Sequence, residues 1–268
     1  MTPMTIQHGI WKAVIVPDFG MNVISLTCEG KEIMRCPKDF AELEGRPRLF
    51  GIPILIPANR TAEGTFTFEG KTHENFFPIN EPARNNNVHG MMSTAPFQVI
   101  SHTENSLTAR HENRGERYPY PFDMTVTVTL TDAGMEHQLT IKALERMPYT
   151  FGYHTTFAEP ENFETPIGRL YVRDERLHPT GEMVHIDDLG ETFDSFFESV
   201  GNTARIDEFR FTVSENFDSW VLFNGDGKSG FLCIEPQCGL VNGLNIPGGH
   251  RVLDQGQEET FTLHITRE

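Results

Sequence analysis

Apolar and polar residues alternate along most of the chain, which is the pattern of strands that bury one face. In residues 123–130 a methionine, two valines and a leucine occupy every second position, with three threonines between them. Residues 131–134 read Thr-Asp-Ala-Gly, and residues 136–143 alternate again. Two alternating runs joined by a short turn predict a β-hairpin.

The same alternation recurs elsewhere, whereas helical periodicity is scarce. It predicts further strands at residues 65–68, 97–100, 106–109, 209–213, 220–223, 231–234 and 260–265. Only residues 37–43 and 193–199 have a helical spacing of apolar positions. Short consecutive strands without intervening helices predict an all-β fold of antiparallel sheets, either a sandwich or a barrel. Because there is no linker, charge block or internal repeat, we expect residues 1–268 to form a single domain.

Composition and charge narrow the range of partners. Of the 268 residues 38% are hydrophobic, enough for a sizeable core, and the formal net charge is −16. Nucleic acids and anionic membrane surfaces repel such a chain, so we expect neither as a partner. No apolar run reaches the length of about 18 residues that spans a bilayer, and the N-terminus lacks the features of a signal peptide. We therefore expect a cytoplasmic protein whose four cysteines, which lack metal-ligand spacing, stay reduced.

Two ionisable residues adjoin predicted strands. His154 lies in an aromatic stretch, residues 151–157, between two strand-like segments. Histidine is the side chain best suited to exchanging protons near neutral pH. Glu235 directly follows the predicted strand at residues 231–234, where burial would raise the pKa of a carboxyl group and make it a better base. A structural role is the alternative for each, and only a partner of complementary chemistry elsewhere in the chain favours catalysis.

Two other segments are rich in hydrogen-bonding groups. Asn59 and Arg60 end an apolar run and offer several donors in a small space. Residues 80–90 form a polar loop with three consecutive asparagines, which ends in His89 and a glycine. Asparagines favour turns, so most of this loop is expected to be scaffold, with His89 as the member that faces a ligand. For the Asn59–Arg60 pair, the alternative is a loop held together by the hydrogen bonds of Arg60.

In order and rough spacing, these segments resemble the motifs of the aldose 1-epimerase (galactose mutarotase-like) family. The motifs are Asn59-Arg60, His89-Gly90, Gly152-Tyr153-His154-x-x-Phe157 and Glu235-Pro236-Gln237 with a following Asn-x-x-Asn. The resemblance extends from about residue 10 to the C-terminus. It implies an antiparallel β-supersandwich and an isomerase that uses no cofactor and no metal and interconverts the α and β anomers of a sugar.

The resemblance also implies roles for individual residues. Glu235 would be the general base and His154 the general acid. The residues that would hold the sugar are His89, Arg60, the adjoining Asn59 and, in a looser match, Asp194. A threonine follows His154 where many members of the family have a proline, and this difference concerns the choice of sugar more than the reaction.

The chemistry of ring opening requires such a pair. A base must remove the proton of the anomeric hydroxyl while an acid protonates the ring oxygen. We expect Glu235 and His154 to face each other across a space about one sugar ring wide. Five aromatic residues are candidates for apolar walls, with core packing as the alternative for most of them: Phe76, Phe77, Phe151, Tyr153 and Trp220.

Three other functions stay open at this point. A hexose-6-phosphate 1-epimerase would need a cationic subsite, for which the candidates are Arg46, Arg48, Arg60 and Arg84. A carbohydrate-binding domain without activity would keep the fold but would not need an acid and a base. A metal-dependent β-barrel enzyme usually has a His-x-His pair, which is missing here. In the favoured interpretation the partner is a small free sugar, and the protein is a monomer or homodimer.

Overall fold

The computed structural model describes residues 1–268, and strands dominate it. They account for 51% of the residues and helices for 6%, which confirms the all-β prediction. One α-helix, α1, covers Phe40–Gly45, and three 3-10 helices cover Pro82–Arg84, Met92–Thr94 and Gly243–Asn245.

Twenty-six strands follow one another along the chain. Those of the first half are β1 (Met4–His8), β2 (Trp11–Val16), β3 (Asn22–Cys28), β4 (Lys31–Glu32), β5 (Ile54–Leu55), β6 (Arg60–Ala62), β7 (Phe66–Phe68), β8 (Lys71–His73), β9 (Asn86–Val88), β10 (Gln98–His102), β11 (Ser106–Asn113), β12 (Phe122–Leu130) and β13 (Gly134–Ala143). Those of the second half are β14 (Met147–Tyr149), β15 (Phe151–Tyr153), β16 (Thr156–Ala158), β17 (Phe163–Glu164), β18 (Ile167–Arg173), β19 (Pro179–Val184), β20 (Asp194–Ser199), β21 (Thr203–Ile206), β22 (Phe209–Val213), β23 (Ser219–Phe223), β24 (Phe231–Cys238), β25 (Arg251–Leu253) and β26 (Glu258–Arg267).

Two eight-stranded antiparallel sheets form the bulk of the fold. Sheet I has the order β10-β11-β12-β13-β26-β22-β21-β17. Sheet II has the order β19-β18-β20-β23-β24-β15-β5, and β16 also pairs with β24. A four-stranded sheet, β1-β2-β3-β4, and three two-stranded ribbons, β14-β25, β6-β9 and β7-β8, complete the structure. The architecture is the expected antiparallel β-supersandwich.

The two large sheets share one hydrophobic core through interlocking rings. Phe151 of sheet II packs on Phe261 of sheet I with ring centroids 4.1 Å apart, and Trp220 packs edge-on against Phe211. All four belong to a cluster of 54 buried hydrophobic residues. A ring that buries about 200 Å² contributes about 5 kcal/mol before conformational entropy is subtracted, so these contacts hold the sheets together strongly.

The predicted hairpin at residues 123–143 is confirmed and lies in the middle of sheet I. β12 pairs with β13 from Phe122–Ala143 to Leu130–Met135 without a register shift. Along β12 every second residue is buried, as the alternating pattern requires. Because a slip of one residue would expose this whole apolar face, the hydrophobic pattern itself specifies the register.

The helical interpretation of residues 193–199 is wrong, because this segment is strand β20. It pairs with β23 on one side and β18 on the other. Phe197 joins the main core, whereas Phe196 packs on the opposite face with Val221 and Val241. Two adjacent aromatic residues can thus both be buried in a strand whose two faces are covered, and over so short a run their spacing does not distinguish a strand from a helix.

The other helix prediction, residues 37–43, is confirmed, but the helix lies a few residues further toward the C-terminus, at Phe40–Gly45. Helix α1 begins at Phe40, after Asp39 has accepted a hydrogen bond from the Glu42 backbone N–H at 2.8 Å. This side-chain cap satisfies one of the free donors of the first turn, which is why the helix starts there.

The chain has no disulfide bonds. All four cysteines are free, with Cys28, Cys233 and Cys238 buried and Cys36 exposed. None of the helices combines the length and the hydropathy that crossing a membrane requires.

We predict that Asn22 is a major contributor to the stability of the fold. Its side chain is fully buried, donates to the Phe50 carbonyl at 2.9 Å and accepts from the Ile52 N–H at 2.7 Å. Asn22→Ala leaves two buried backbone groups without partners, so we expect urea unfolding to show a loss of about 2–5 kcal/mol. Asn162→Ala, at an exposed side chain without hydrogen bonds, should stay within about 0.5 kcal/mol of the wild type. Equal effects of the two changes would contradict this role.

Candidate active site

The adjacent strands β15 and β24 of sheet II bring His154 and Glu235 to one place, with β5 beside β15. Gly152 in β15 pairs with Leu55 of β5 on one side and with Gln237 of β24 on the other. His154 directly follows β15. Glu235 lies within β24, not after its end as the sequence suggested, because the strand continues through Cys238. Segments distant in the sequence therefore meet at one edge of the cleft.

The cleft contains all six residues that the sequence singled out. Its lining consists of Asn59, Arg60, Val88, His89, His154, Asp194, Val221, Phe223 and Glu235. Its cavity volume is about 120 Å³, and the empty space reaches about 410 Å³ when the open mouth is included.

Glu235 and His154 are in direct contact, so the expectation of a space one sugar ring wide between them is wrong. Glu235 Oε1 lies 3.3 Å from His154 Nε2, and the two side chains are only 2% and 7% exposed. The reason is structural: β15 pairs with β24, and just beyond β15 the Ile234 N–H donates to the Thr155 oxygen at 3.1 Å. The residues next to these two, His154 and Glu235, are therefore held side by side.

Burial controls the protonation of this pair. It raises the pKa of Glu235 well above its usual value, and the nearby charge of Asp194 adds to the rise. Burial also lowers the pKa of His154 to about 3, with a further contribution from the charge of Arg48. Burial thus favours the neutral pair, with the proton on the carboxyl group, and a proton that moves across the contact from Oε1 to Nε2 turns it into a carboxylate and an imidazolium.

The second nitrogen of His154 indicates which tautomer is present. Thr156 Oγ1 donates to the backbone oxygen of His154 at 3.1 Å, so its single proton is used. The Thr156 oxygen is then the acceptor for the Nδ1–H of His154, at 3.4 Å. In the neutral ring Nε2 therefore carries a lone pair directed at Glu235.

His89 presents an N–H group to the cleft. The Asn59 backbone N–H donates to His89 Nδ1 at 3.1 Å, so the neutral ring carries its proton on Nε2. Burial lowers the pKa of His89 well below its usual value, and the charges of His154, Arg48 and Arg60 add to the effect, which keeps the ring neutral.

Backbone conformation holds His89 and Asn59 in place. Both have positive φ angles, 67° and 60°, in the left-handed region that costs energy for most residues. The following Gly90 has φ 57°, and a Cβ there would lie 2.0 Å from the Ile56 oxygen. Only glycine fits this close approach, which accounts for the His-Gly pair seen in the sequence.

Arg60 is held by carboxylates. Its Nε and Nη2 donate to Glu81 at 3.0 and 3.1 Å, and Nη2 lies 3.8 Å from Asp194. Burial raises the pKa of Glu81, but hydrogen bonds from Arg60 and Asn86 outweigh this effect and keep the pKa below its usual value. Glu81 is thus an ionised anchor for Arg60, a role that the sequence did not reveal.

Most of the polar loop around Glu81 is scaffold, as expected. Asn86 donates to Glu81 at 2.8 Å and contacts His178 through its oxygen at 2.9 Å. Arg84 donates to the same carboxylate at 3.1 Å. Within the loop, His89 is the ring that reaches the cleft, and Val88 lies beside it.

The apolar wall differs from the one proposed from the sequence. Phe77, Phe151, Tyr153 and Trp220 are buried in the core, and Phe76 packs against it. Val221 and Phe223 line the cleft instead. Because side chains of a strand alternate between its faces, Trp220 and Val221 in β23 point in opposite directions.

A metal ion would be a conceivable occupant of the cleft, because ligand atoms of His89, His154 and Glu235 lie within 4.8 Å of one another. The donor set does not fit this use. A metal-ligating histidine normally donates its other N–H to an acceptor. His89 instead accepts the Asn59 N–H at Nδ1, which puts its proton on the nitrogen that would have to bind the ion. The cluster is arranged for hydrogen bonds.

Fold and cleft together define a class: an antiparallel β-supersandwich with a buried carboxyl–imidazole pair in a cleft lined by hydrogen-bonding groups. The family model described as Aldose 1-epimerase matches residues 4–266, so the chain belongs to the aldose 1-epimerase family.

Individual proteins are similar to this chain at sequence identities of 26% or less. The uncharacterized protein YihR of Escherichia coli K12 is 26% identical over 201 residues, which cover 71% of this chain and 63% of YihR. The chain therefore spans less than two thirds of that relative. A galactose mutarotase-like protein of Clostridium acetobutylicum superposes with a TM-score of 0.87 at 23% identity over 98% of this chain and 94% of that one. The galactose 1-epimerase of Lactobacillus acidophilus NCFM gives 0.78 at 15% identity over 99% and 94%. These likenesses concern the fold.

We predict that Glu235 costs the protein stability at alkaline pH. Its folded pKa is raised, so the folded protein keeps a proton that the unfolded chain loses above about pH 4.5. As the pH rises from that value toward the folded pKa, the unfolding free energy of the wild type falls by about 1.4 kcal/mol per pH unit. The unfolding free energy of Glu235→Gln does not fall in this way, because glutamine does not titrate.

Urea denaturation at a series of pH values measures the effect. Glu235→Gln should exceed the wild type in unfolding free energy at pH 8, and the difference should shrink toward pH 4. Glu136→Gln, at an exposed side chain of β13 without a partner, should follow the wild type throughout. A destabilised Glu235→Gln at pH 8 would mean that the pair is stabilised as charged ions.

Proposed function

We propose that this protein is an aldose 1-epimerase that interconverts the α and β anomers of a free hexose without a cofactor. The observation that carries the proposal is the 3.3 Å contact between Glu235 and His154 inside a cleft lined by hydrogen-bonding groups. Strongly shifted pKa values in a cleft are typical of functional sites. The proposal includes a monomer or homodimer in the cytoplasm with a small sugar as its partner.

The reaction begins with the pair in its charged form, carboxylate and imidazolium. Glu235 takes the proton of the anomeric hydroxyl while His154 Nε2–H protonates the ring oxygen, and the bond between C1 and the ring oxygen breaks. The open-chain aldehyde rotates about C1–C2 and presents its other face. Ring closure reverses both transfers, with the two residues exchanging roles, so the enzyme returns to its initial state with no net gain or loss of protons.

Burial assists the first step, because it disfavours the charged pair. Ring opening leaves Glu235 protonated and His154 neutral, which is the distribution that desolvation prefers. The charged form is therefore the more reactive one, and the proton that generates it has only to cross the contact between Oε1 and Nε2. No proton from solvent is needed during the cycle.

The remaining polar groups would hold the hydroxyls of the sugar. His89 offers Nε2–H as a donor, Arg60 offers the part of its guanidinium that its carboxylate partners leave free, and Asp194 offers acceptor oxygens. Val221 and Phe223 would contact an apolar face of the ring. The backbone N–H of Asn59 sets the tautomer of His89.

We expect Glu235→Gln and His154→Gln each to lower kcat/KM for freshly dissolved α-glucose or α-galactose by about 10²–10⁴-fold, because each removes one positioned proton-transfer group. Polarimetry and NMR of the anomeric protons measure the rate. The double variant should lose little more than the worse single variant, since the two residues act as a unit.

Glu136→Gln and His264→Gln are the matched controls, at strand residues of sheet I whose side chains make no hydrogen bond. They should retain the wild-type rate. Unchanged rates in the Glu235 and His154 variants would refute the assignment, and sugar binding without anomer exchange in the wild type would favour a carbohydrate-binding domain.

A hexose 6-phosphate is the second candidate substrate, and Arg48 is the observation that favours it. Arg84 and Arg60 form ion pairs with Glu81, and Arg46 is exposed. Arg48 donates only to the Val88 carbonyl, at 3.2 Å, and has no carboxylate partner. Burial lowers the pKa of Arg48, and its charge lowers the pKa values of both cleft histidines. An anion beside it would compensate this charge.

If the substrate carries a phosphate, Arg48→Met should lower the ratio of kcat/KM for glucose 6-phosphate to that for glucose by about 10–100-fold, the value of one hydrogen bond to a charged group. Arg46→Met, an exposed arginine of the same segment, is the control and should leave the ratio unchanged. The same ratio in the wild type and Arg48→Met would exclude Arg48 as a phosphate ligand.

A further inference from the structure

We infer that Gln237 is a positioning residue which, held by Asn59, assigns different tasks to the two oxygens of Glu235. Oε2 is the fixed acceptor of a hydrogen bond, and Oε1 alone exchanges protons. This inference rests on the proposed function for its catalytic consequence, whereas the hydrogen-bond relay behind it can be tested in the protein without substrate.

The relay begins at a group whose direction is not in question. The backbone N–H of Arg60 can only donate, and it donates to Asn59 Oδ1 at 3.0 Å, with Arg60 Nη1 a second donor at 3.3 Å. This makes Oδ1 the acceptor, so the Asn59 Nδ2 donates to Gln237 Oε1 at 3.2 Å. The Gln237 Nε2 then donates to Glu235 Oε2 at 3.0 Å. One backbone N–H thus determines the orientation of both amides.

The relay has a direct consequence at the carboxyl group. Because Oε2 already accepts an N–H, the proton of the neutral carboxyl is placed on Oε1, the oxygen 3.3 Å from His154. Burial raises the pKa of Glu235, and the hydrogen bond from Gln237 opposes that rise by stabilising the carboxylate. The ionisable groups that face or adjoin Glu235 are His154, His89, Asp194, Arg60 and Cys233.

The surroundings of Gln237 are built for this side chain. It is 1% exposed, and both of its side-chain hydrogen bonds go to residues of the cleft. Its strand partner is Gly152, where a Cβ would lie 2.8 Å from Gln237 Cγ. The glycine of the Gly-Tyr-His motif therefore makes room for Gln237 as well as leading the chain to His154.

The test compares Gln237→Met, which keeps the length and removes the amide, with Gln138→Met, the same change at an exposed position of β13. Carbon-13 NMR of glutamate carboxyl groups in the unliganded protein follows the titration of Glu235, assigned by the signal that Glu235→Gln lacks. We expect Gln237→Met to move this titration upward by about one pH unit or more, because the carboxylate loses its donor. The control should match the wild type.

Activity provides the second readout. Gln237→Met should lower kcat by about 100-fold, as expected for a displaced reacting group, with KM within about threefold of the wild type. The alkaline limb of the pH profile of kcat/KM, where the pair loses its single proton, should move in the same direction as the NMR titration. A role limited to the stability of the fold would lower the yield of folded protein and leave the titration in place.

Asn59→Gly gives an independent arm, because it leaves β24 unchanged and tolerates the positive φ of this position. In the wild-type background it should raise the pH at which Glu235 titrates. In Gln237→Met it should have no further effect, since Asn59 acts through Gln237. A Glu235 titration that neither variant moves would overturn the relay. A relay that behaves as expected in a protein without epimerase activity on any hexose would instead count against the proposed function alone.

Discussion

The burial of a carboxyl group beside an imidazole in the middle of a strand is the constraint on which the rest of the site depends. Glu235 is 2% exposed, and desolvation dominates its protonation and that of His154. Such a pair destabilises a fold unless its remaining lone pairs and protons find partners. The neighbouring groups supply these partners, and in doing so they direct the proton to one contact between two atoms.

This constraint explains why so much of the cleft consists of amides and backbone groups in unusual conformations. Asn59 and His89 both lie in the left-handed region and are hydrogen-bonded to each other. The His89 N–H donates to the Asn59 oxygen at 2.8 Å, and the Asn59 N–H donates to His89 Nδ1. Glu81 forms an ion pair with Arg60, which holds the guanidinium beside the cleft. Strain and polar burial cost stability here, and the ring-packed core between the sheets offsets that cost.

Local sequence patterns predicted a large part of the fold. The alternation in residues 123–143 determined the strands, their buried faces and their register, because the spacing of apolar residues directly encodes which face meets the core. The pattern failed at residues 193–199, where both faces of β20 are covered, and at Glu235, where a charged residue inside a strand has no local signature. Val221 and Phe223 were missed as wall residues, because a choice between two buried faces leaves no trace in hydrophobicity.

The sequence by itself determined the all-β class, the candidate residues of four short motifs and their family resemblance, since these depend on residue types and their order. Only the tertiary structure decided that Glu235 and His154 touch, that Glu81 anchors Arg60, and that Gln237 lies between Asn59 and Glu235. These contacts join residues up to 178 positions apart. The contacts of Glu235, His154, Gln237 and Asn59 arise from the pairing of β24 with β15 and of β15 with β5, and the Arg60–Glu81 contact lies beside the pairing of β6 with β9. Such pairing is a property of the whole sheet.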